Sequence, residues 1–133
     1  GKADTMEIER QIFLVDDDAS IRKAMRRFLF SAGFDVQTFA SAEGFLDFIS
    51  PQVEGCLILD VRLPGLSGIE LQGRLVQMES LLKIIFITAF ADDKLRQRAH
   101  ALGAVACLEK PVDHQVLLGT ILSLWNGNEE DPG

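Results

Sequence analysis

The chain has 133 residues, and its 13 basic and 20 acidic side chains give a net charge of −7. This length fits one domain, and 47% hydrophobic with 25% charged residues is typical of a compact globular protein rather than a disordered one. The acidic balance argues against direct binding of nucleic acid by this domain.

Several features favour a cytoplasmic protein. The first ten residues are charged and contain no signal-peptide pattern. The longest apolar stretch, residues 84–91, is far shorter than the roughly 18 residues of a membrane span, so no membrane association is predicted. Cys56 and Cys107 both lie in apolar runs, and we expect reduced, buried thiols rather than a disulfide.

The apolar residues predict five strands in chain order. Four runs are continuous, as in strands covered on both faces of a parallel sheet, and a fifth alternates, as in an edge strand. The continuous runs are residues 12–15, 56–59, 84–87 and 104–108, and the alternating one is 34–39.

Helical patterns separate these strands. Apolar residues spaced three and four apart between positions 21 and 29 predict a first helix that Gly33 ends. Ser67 and Glu70 have the spacing of a capping box and open the third helix. The remaining helices are predicted near residues 45–49, 95–102 and 117–124.

Five strand–helix repeats predict an α/β fold with a mostly parallel sheet and helices on both faces. We assign the folded domain to residues 10–125. Residues 1–9 are expected to be a disordered segment or a cloning remnant, and residues 126–133 a disordered tail or the start of a linker.

Polar residues follow the continuous apolar runs. Asp16 and Asp17 follow the first run, Asp60 the next, Thr88 the third and Lys110 the last. Because the carboxyl ends of parallel strands share one edge, these side chains are expected to meet in one crevice, where open α/β sheets bind ligands.

Three converging carboxylates need a cation, since they repel one another. A site with oxygen ligands and neither His nor Cys favours Mg²⁺, or Mn²⁺ in its place, over zinc or copper. Such a cation together with Lys110 balances the charge of Asp16, Asp17 and Asp60. It would also stabilise a phosphoryl group transferred to Asp60, to which Thr88 could donate a hydrogen bond.

The motifs at these positions resemble those of a known family. Leu-Val-Asp-Asp-Asp at 14–18, the D-x-x-x-P-G-x-S-G loop at 60–68, Ile-Thr-Ala at 87–89 and Glu-Lys-Pro at 109–111 occur in this order. Over residues 10–125 the chain resembles the receiver domain of two-component response regulators, and most closely those that precede a LuxR-type helix-turn-helix.

The resemblance implies a flavodoxin-like (βα)5 fold, a three-layer sandwich with strand order 2-1-3-4-5. It implies Asp60 as phosphoacceptor, and Asp16, Asp17, Asp60 and the Arg62 backbone carbonyl as metal ligands. Thr88 and Lys110 become the switch hydroxyl and the phosphoryl-contacting cation. The bond before Pro111 is expected to be cis by the same analogy, and Arg62 and Phe90 occupy positions that tune the phosphoryl lifetime.

The resemblance also implies partners. These are a sensor histidine kinase or a phosphotransfer protein, and a phosphorylation-dependent homodimer through the helix 4–strand 5–helix 5 face. The domain would catalyse only its own phosphorylation and slow dephosphorylation, and would regulate transcription through an output domain. One position departs from the family pattern, because Cys107 stands where an aromatic switch residue is usual.

Two other functions remain open at this stage. The missing aromatic residue allows an interaction module of the same fold that works without phosphorylation. An aspartyl-phosphate phosphatase also uses an Asp nucleophile at a strand end, but such enzymes place a second acid where this chain has Arg62. The basic residues between positions 22 and 27 are interpreted first as a solvated helix face.

Overall fold

A computed structural model of the protein describes residues 11–130, as a five-stranded sheet flanked by five helices. The strands are β1 (Ile12–Val15), β2 (Val36–Phe39), β3 (Glu54–Asp60), β4 (Leu81–Thr88) and β5 (Ala106–Glu109). The helices are α1 (Ala19–Ser31), α2 (Ala42–Phe48), α3 (Gly68–Gln77), α4 (Asp93–Ala101) and α5 (His114–Glu130).

The sheet is parallel throughout, with strand order β2-β1-β3-β4-β5. This confirms the predicted flavodoxin-like topology, including the alternating strand at one edge. Successive strand residues point to opposite faces, so the two faces carry separate apolar cores. Phe13 and Val15 pack in the core beneath α2, α3 and α4. Ile12 and Leu14 pack in the core beneath α1 and α5.

The helix starts match the sequence signals. Asp18 caps α1, because its carboxylate accepts hydrogen bonds from the backbone N–H groups of Ser20 and Ile21. The capping box of α3 has both of its bonds: Glu70 N–H donates to the Ser67 hydroxyl, and Ser67 N–H donates to the Glu70 carboxylate. The two capped helices therefore begin shortly after Asp16 and Asp17, and after Asp60 at the end of β3.

Three local predictions need correction. β5 begins at Ala106 rather than at 104, and Val105 is 44% exposed. Cys107 is half-buried rather than buried, because β5 is an edge strand and is covered less completely than β3. α5 continues to Glu130, five residues past the predicted end of the domain. The predictions for residues 1–9 and 131–133 lie outside the described part of the chain.

Within residues 11–130, none of the helices has both the length and the apolar character needed to span a membrane.

Candidate functional site

The predicted site residues lie at one edge of the sheet. Asp16 directly follows β1, while Asp60 and Thr88 are the last residues of β3 and β4. Asp60 pairs with Ile87 across the sheet, so the ends of these two strands are in register. Lys110 directly follows β5, and its backbone N–H donates to the Thr88 carbonyl at 2.7 Å. The parallel topology therefore brings four loops together at this edge.

Three carboxylates form the floor and rim of this crevice. One oxygen from each of Asp16, Asp17 and Asp60 lies within 4.8 Å of the others. Asp16 and Asp60 are buried, with 0% and 4% of their surface exposed, whereas Asp17 is exposed. The Asp16 carboxylate is oriented by the Asp18 N–H, which donates to its Oδ1 at 2.8 Å. Arg22 fixes the same turn by donating from Nη1 to the Asp16 carbonyl at 2.7 Å.

Lys110 is the cation of the crevice. Its Nζ donates to Asp60 Oδ2 at 3.0 Å and lies 3.1 Å from Asp16 Oδ2. Burial on its own would lower the pKa of Lys110, but the hydrogen bond to Asp60 and the negative charges of Asp60 and Asp16 outweigh it and raise that pKa. Lys110 is therefore firmly protonated at neutral pH.

Opposing influences act on Asp60. Its burial raises the pKa of the carboxyl, and the nearby charge of Asp16 adds to this effect. The hydrogen bonds from Lys110 and from the Arg62 N–H, which donates to Asp60 Oδ1 at 3.0 Å, lower the pKa and offset part of the rise. The result is a carboxylate with little water around it whose two oxygens each have a defined partner.

The donor set fits a hard divalent cation. Within the described residues, the cluster contains carboxylates without His or Cys, which is the chemistry that Mg²⁺ prefers. The buried Asp16 Oδ2 has no directed hydrogen bond among these residues, although the Lys110 charge is near. Asp16, Asp17 and Asp60 could hold such an ion. The Arg62 carbonyl stays a prediction as a further ligand, and the Arg62 side chain is exposed.

Thr88 is fully buried, and its hydroxyl is turned onto its own loop. The Thr88 Oγ1 donates to the Phe90 carbonyl and accepts from the Phe90 N–H, both at 3.3 Å. Phe90 itself is 62% exposed beside the crevice. In this arrangement the Thr88 hydroxyl makes no hydrogen bond to Asp60 or Lys110.

The structure also shows contacts that sequence reasoning missed. Glu109 accepts a hydrogen bond from the Ala91 N–H at 3.0 Å, and Arg96 Nη1 donates to the Cys107 carbonyl at 2.7 Å. The Cys107 side chain packs against the core beneath α4 rather than joining the carboxylates. The Lys110–Pro111 peptide bond is cis.

An apolar groove of about 430 Å³ opens beside the crevice. It runs between α1 and the segment that joins β5 to α5. The residues that line it are Ile21, Ala24, Met25, Lys110, Pro111, Val112 and His114, the first residue of α5. Lys110 therefore belongs to the wall of this groove as well as to the carboxylate cluster.

Comparison with known proteins identifies the family. Residues 12–122 match the family described as response regulator receiver domain. The chain belongs to this family. Nodulation protein W of Bradyrhizobium diazoefficiens is 41% identical over 112 residues, which are 84% of this chain and 49% of that protein. The transcriptional regulatory protein FixJ of the same organism is 41% identical over 118 residues, 89% of this chain and 58% of FixJ.

A solved structure agrees with the family and the fold. The response regulator StyR has 45% sequence identity and a TM-score of 0.80, over 86% of this chain and 58% of the StyR chain. This receiver domain thus spans about half the length of the curated relatives it matches.

Proposed function

We propose that this receiver domain is a phosphoacceptor switch whose acceptor is Asp60. The observation that carries the proposal is the geometry around Asp60, a buried carboxylate that touches Lys110 and lies beside Asp16 and Asp17. A phosphoryl group arriving at this carboxylate would meet a protonated lysine and a cluster able to hold a divalent cation.

The proposed step is an in-line transfer. A carboxylate oxygen of Asp60 forms a bond to phosphorus while the bond from phosphorus to the donor breaks, and the donor nitrogen of a phosphohistidine keeps the electron pair. Lys110 donates to Asp60 Oδ2 at 3.0 Å, which supports a role in contacting the incoming oxygens. When bound, Mg²⁺ or Mn²⁺ would supply further positive charge for these oxygens. Thr88 can donate to the transferred group once its hydroxyl leaves Phe90.

The apolar groove supports a sensor histidine kinase or a phosphotransfer protein as donor. Its lining by Ile21, Ala24 and Met25 suits the apolar face of a partner helix, and Lys110 connects the groove to the acceptor. A cytoplasmic location belongs to the same proposal. The domain would catalyse only its own phosphorylation and slow dephosphorylation.

The output is proposed to be transcription regulation through a second domain, since the match covers only 58% of the transcriptional regulatory protein FixJ. A LuxR-type helix-turn-helix is the output that the sequence motifs favour. Phosphorylation-dependent homodimerisation through α4, β5 and α5, and tuning of the phosphoryl lifetime by Arg62 and Phe90, belong to the same proposal.

Intact mass spectrometry tests the acceptor. The protein is incubated with Mg²⁺ and acetyl phosphate, and one phosphoryl adduct is expected on the wild type and on Asp47→Asn, a control that removes an exposed acid from α2. Asp60→Asn and addition of a chelator should both abolish the adduct. No adduct on the wild type, or an adduct that survives in Asp60→Asn, would contradict the proposal. Sustained phosphate release from unrelated phosphomonoesters would point to a phosphatase instead.

A further inference from the structure

The loop between β4 and α4 is tied to the end of β5 by a side chain. Glu109 is the last residue of β5 and pairs with Thr88, the last residue of β4. From this position its Oε1 reaches back across the sheet edge and accepts the Ala91 N–H at 3.0 Å. The hydrogen bond is charge-assisted, and it holds the loop at the residue next to Phe90, whose own two contacts with Thr88 are long.

Thr88 depends on the same loop. Its buried hydroxyl is held at 3.3 Å by both the carbonyl and the N–H of Phe90, the residue before Ala91. These two contacts are long and therefore weak. If Thr88 is to donate to a phosphoryl group on Asp60, the hydroxyl has to leave Phe90. The Phe90 carbonyl and N–H then lose this partner, which favours a change in the backbone of Phe90 and Ala91. The Glu109–Ala91 bond opposes that change.

We propose that Glu109 is a positioning residue that holds the β4–α4 loop, and through it Thr88, in the arrangement of the unphosphorylated domain. This inference rests on the proposed phosphoacceptor function. Glu109 does not touch Asp60 or the carboxylate cluster in this structure, and its side chain is exposed. It acts by stabilising one of two loop arrangements, so its removal shifts the population toward the arrangement in which Thr88 is available.

The size of the shift follows from the type of contact. A single exposed, charge-assisted hydrogen bond biases a two-state equilibrium by about threefold to tenfold. We therefore expect Glu109→Ala to raise the initial rate of phosphorylation by acetyl phosphate by about this factor. Glu109→Gln keeps an acceptor oxygen at the same reach, so it should stay within about twofold of the wild type.

The matched control is Glu54→Ala. It removes the same charge from an exposed glutamate at the opposite, amino-terminal edge of the sheet. The first measurement is amide hydrogen exchange of Ala91 in the unphosphorylated proteins, which requires no phosphoryl transfer. Amide exchange at Ala91 should accelerate in Glu109→Ala by at least the factor expected for the phosphorylation rate. It should be unchanged in Glu54→Ala. Glu109→Ser, also too short to reach Ala91, provides the same test if the alanine variant does not fold.

The second measurement is the phosphorylation rate of the four proteins under one set of conditions. The inference is supported if Glu109→Ala is faster, Glu109→Gln is close to the wild type and Glu54→Ala is unchanged. Equal acceleration in all three variants would indicate a general charge effect and overturn it. An adduct on the wild type with unchanged rate and exchange in Glu109→Ala would overturn this inference alone, whereas no adduct on the wild type would overturn the proposed function and this inference with it.

Discussion

Gly68 occupies the tightest position beside the acceptor. A Cβ atom added there would lie 2.1 Å from the Asp60 carbonyl oxygen and 2.9 Å from the Val61 Cα, and both are backbone atoms that cannot turn aside. The close approach lets the Gly68 N–H donate to the Val61 carbonyl at 3.0 Å. The absence of a side chain at Gly68 thus allows α3 to begin directly against the end of β3.

We expect Gly68→Ala to lower the free energy of unfolding by about 2 kcal/mol, because the added methyl group forces the backbone of Asp60 to move. Gly73→Ala in the same helix is the control. Its Cβ would meet nothing within 4 Å, so this variant should gain about 0.5–1 kcal/mol from its higher helix propensity. Urea unfolding measures the free energy of unfolding of both variants. A Gly68→Ala variant as stable as the wild type would show that the backbone at Asp60 and Val61 accommodates the methyl group without loss of stability.

Cys56 makes stability depend on pH in the alkaline range. Burial raises the pKa of the Cys56 thiol from 9.0 to about 12. The folded state therefore holds the proton more tightly than the unfolded state. The stabilisation is complete below pH 9 and is lost as pH rises from 9 towards the folded pKa.

Comparison with Cys56→Ala isolates this contribution, since Cys107 titrates in both proteins. Between pH 8 and pH 10.5 the wild type should lose about 2 kcal/mol more than the variant, because each pH unit above the unfolded pKa costs about 1.4 kcal/mol. Urea unfolding at a series of pH values gives the slope of the free energy of unfolding against pH for each protein. Parallel slopes would mean that the thiol ionises as easily in the folded protein as in the unfolded one.

At the scale of elements, α1 carries an exposed basic face. Lys23, Arg26 and Arg27 are exposed and form no ion pair within the described residues. They line a groove of about 530 Å³ with Arg22, Phe30, Asp35 and others between α1 and β2. Like charges three or four residues apart on a helix repel one another.

Arg26→Glu should therefore stabilise the protein. The new carboxylate lies three and four residues after Lys23 and Arg22, and the gain is expected to be about 0.3–0.5 kcal/mol at low salt. Thermal unfolding at low and at high ionic strength checks the cause, because salt should remove most of the gain. A stabilisation that salt does not change would have to come from packing.

The sequence predicts these elements well where the signal is local. Continuous apolar runs mark β1, β3 and β4, and the capping box at Ser67 marks the start of α3. The predicted start of β5 at residue 104 was wrong, because Ala104 and Val105 are as apolar as the strand that follows them. Pairing with β4 decides where β5 begins, and the first paired residues are Ile85 and Ala106. This pairing joins residues that are far apart in the sequence, so the local sequence around residue 104 does not indicate it.

The site likewise has one part that the sequence predicts and one part that it does not. The meeting of Asp16, Asp60 and Lys110 follows from parallel topology alone, because each stands at a strand end. The contacts of Glu109 and Arg22 could not be predicted, since they depend on the path of a loop and on the reach of a long side chain. The roles of the site residues in phosphoryl transfer stay predictions.

At the scale of the whole molecule, the excess of negative charge gathers partly at one edge of the sheet, where a bound divalent cation would relieve it. We expect Mg²⁺ to raise the free energy of unfolding, by about 2.7 kcal/mol at a concentration 100 times its dissociation constant. A chelator should reverse the effect.

Asp17→Asn tests this coupling because it removes the exposed carboxylate of the cluster and leaves the buried pair intact. Its stabilisation by a fixed Mg²⁺ concentration should be clearly smaller than that of the wild type. Asp47→Asn should respond as the wild type does. Thermal unfolding with and without Mg²⁺ gives the comparison, and equal shifts in all three proteins would place the ion elsewhere.

Arg96 has a further consequence through its bond to the Cys107 carbonyl. β5 and β2 are the two free edges of the sheet, and each is only four residues long. Free edges are the places where strands of separate molecules can join and start aggregates, and short edges with occupied backbone groups resist this. By engaging a main-chain acceptor of β5, Arg96 leaves this edge a poorer template for an incoming strand.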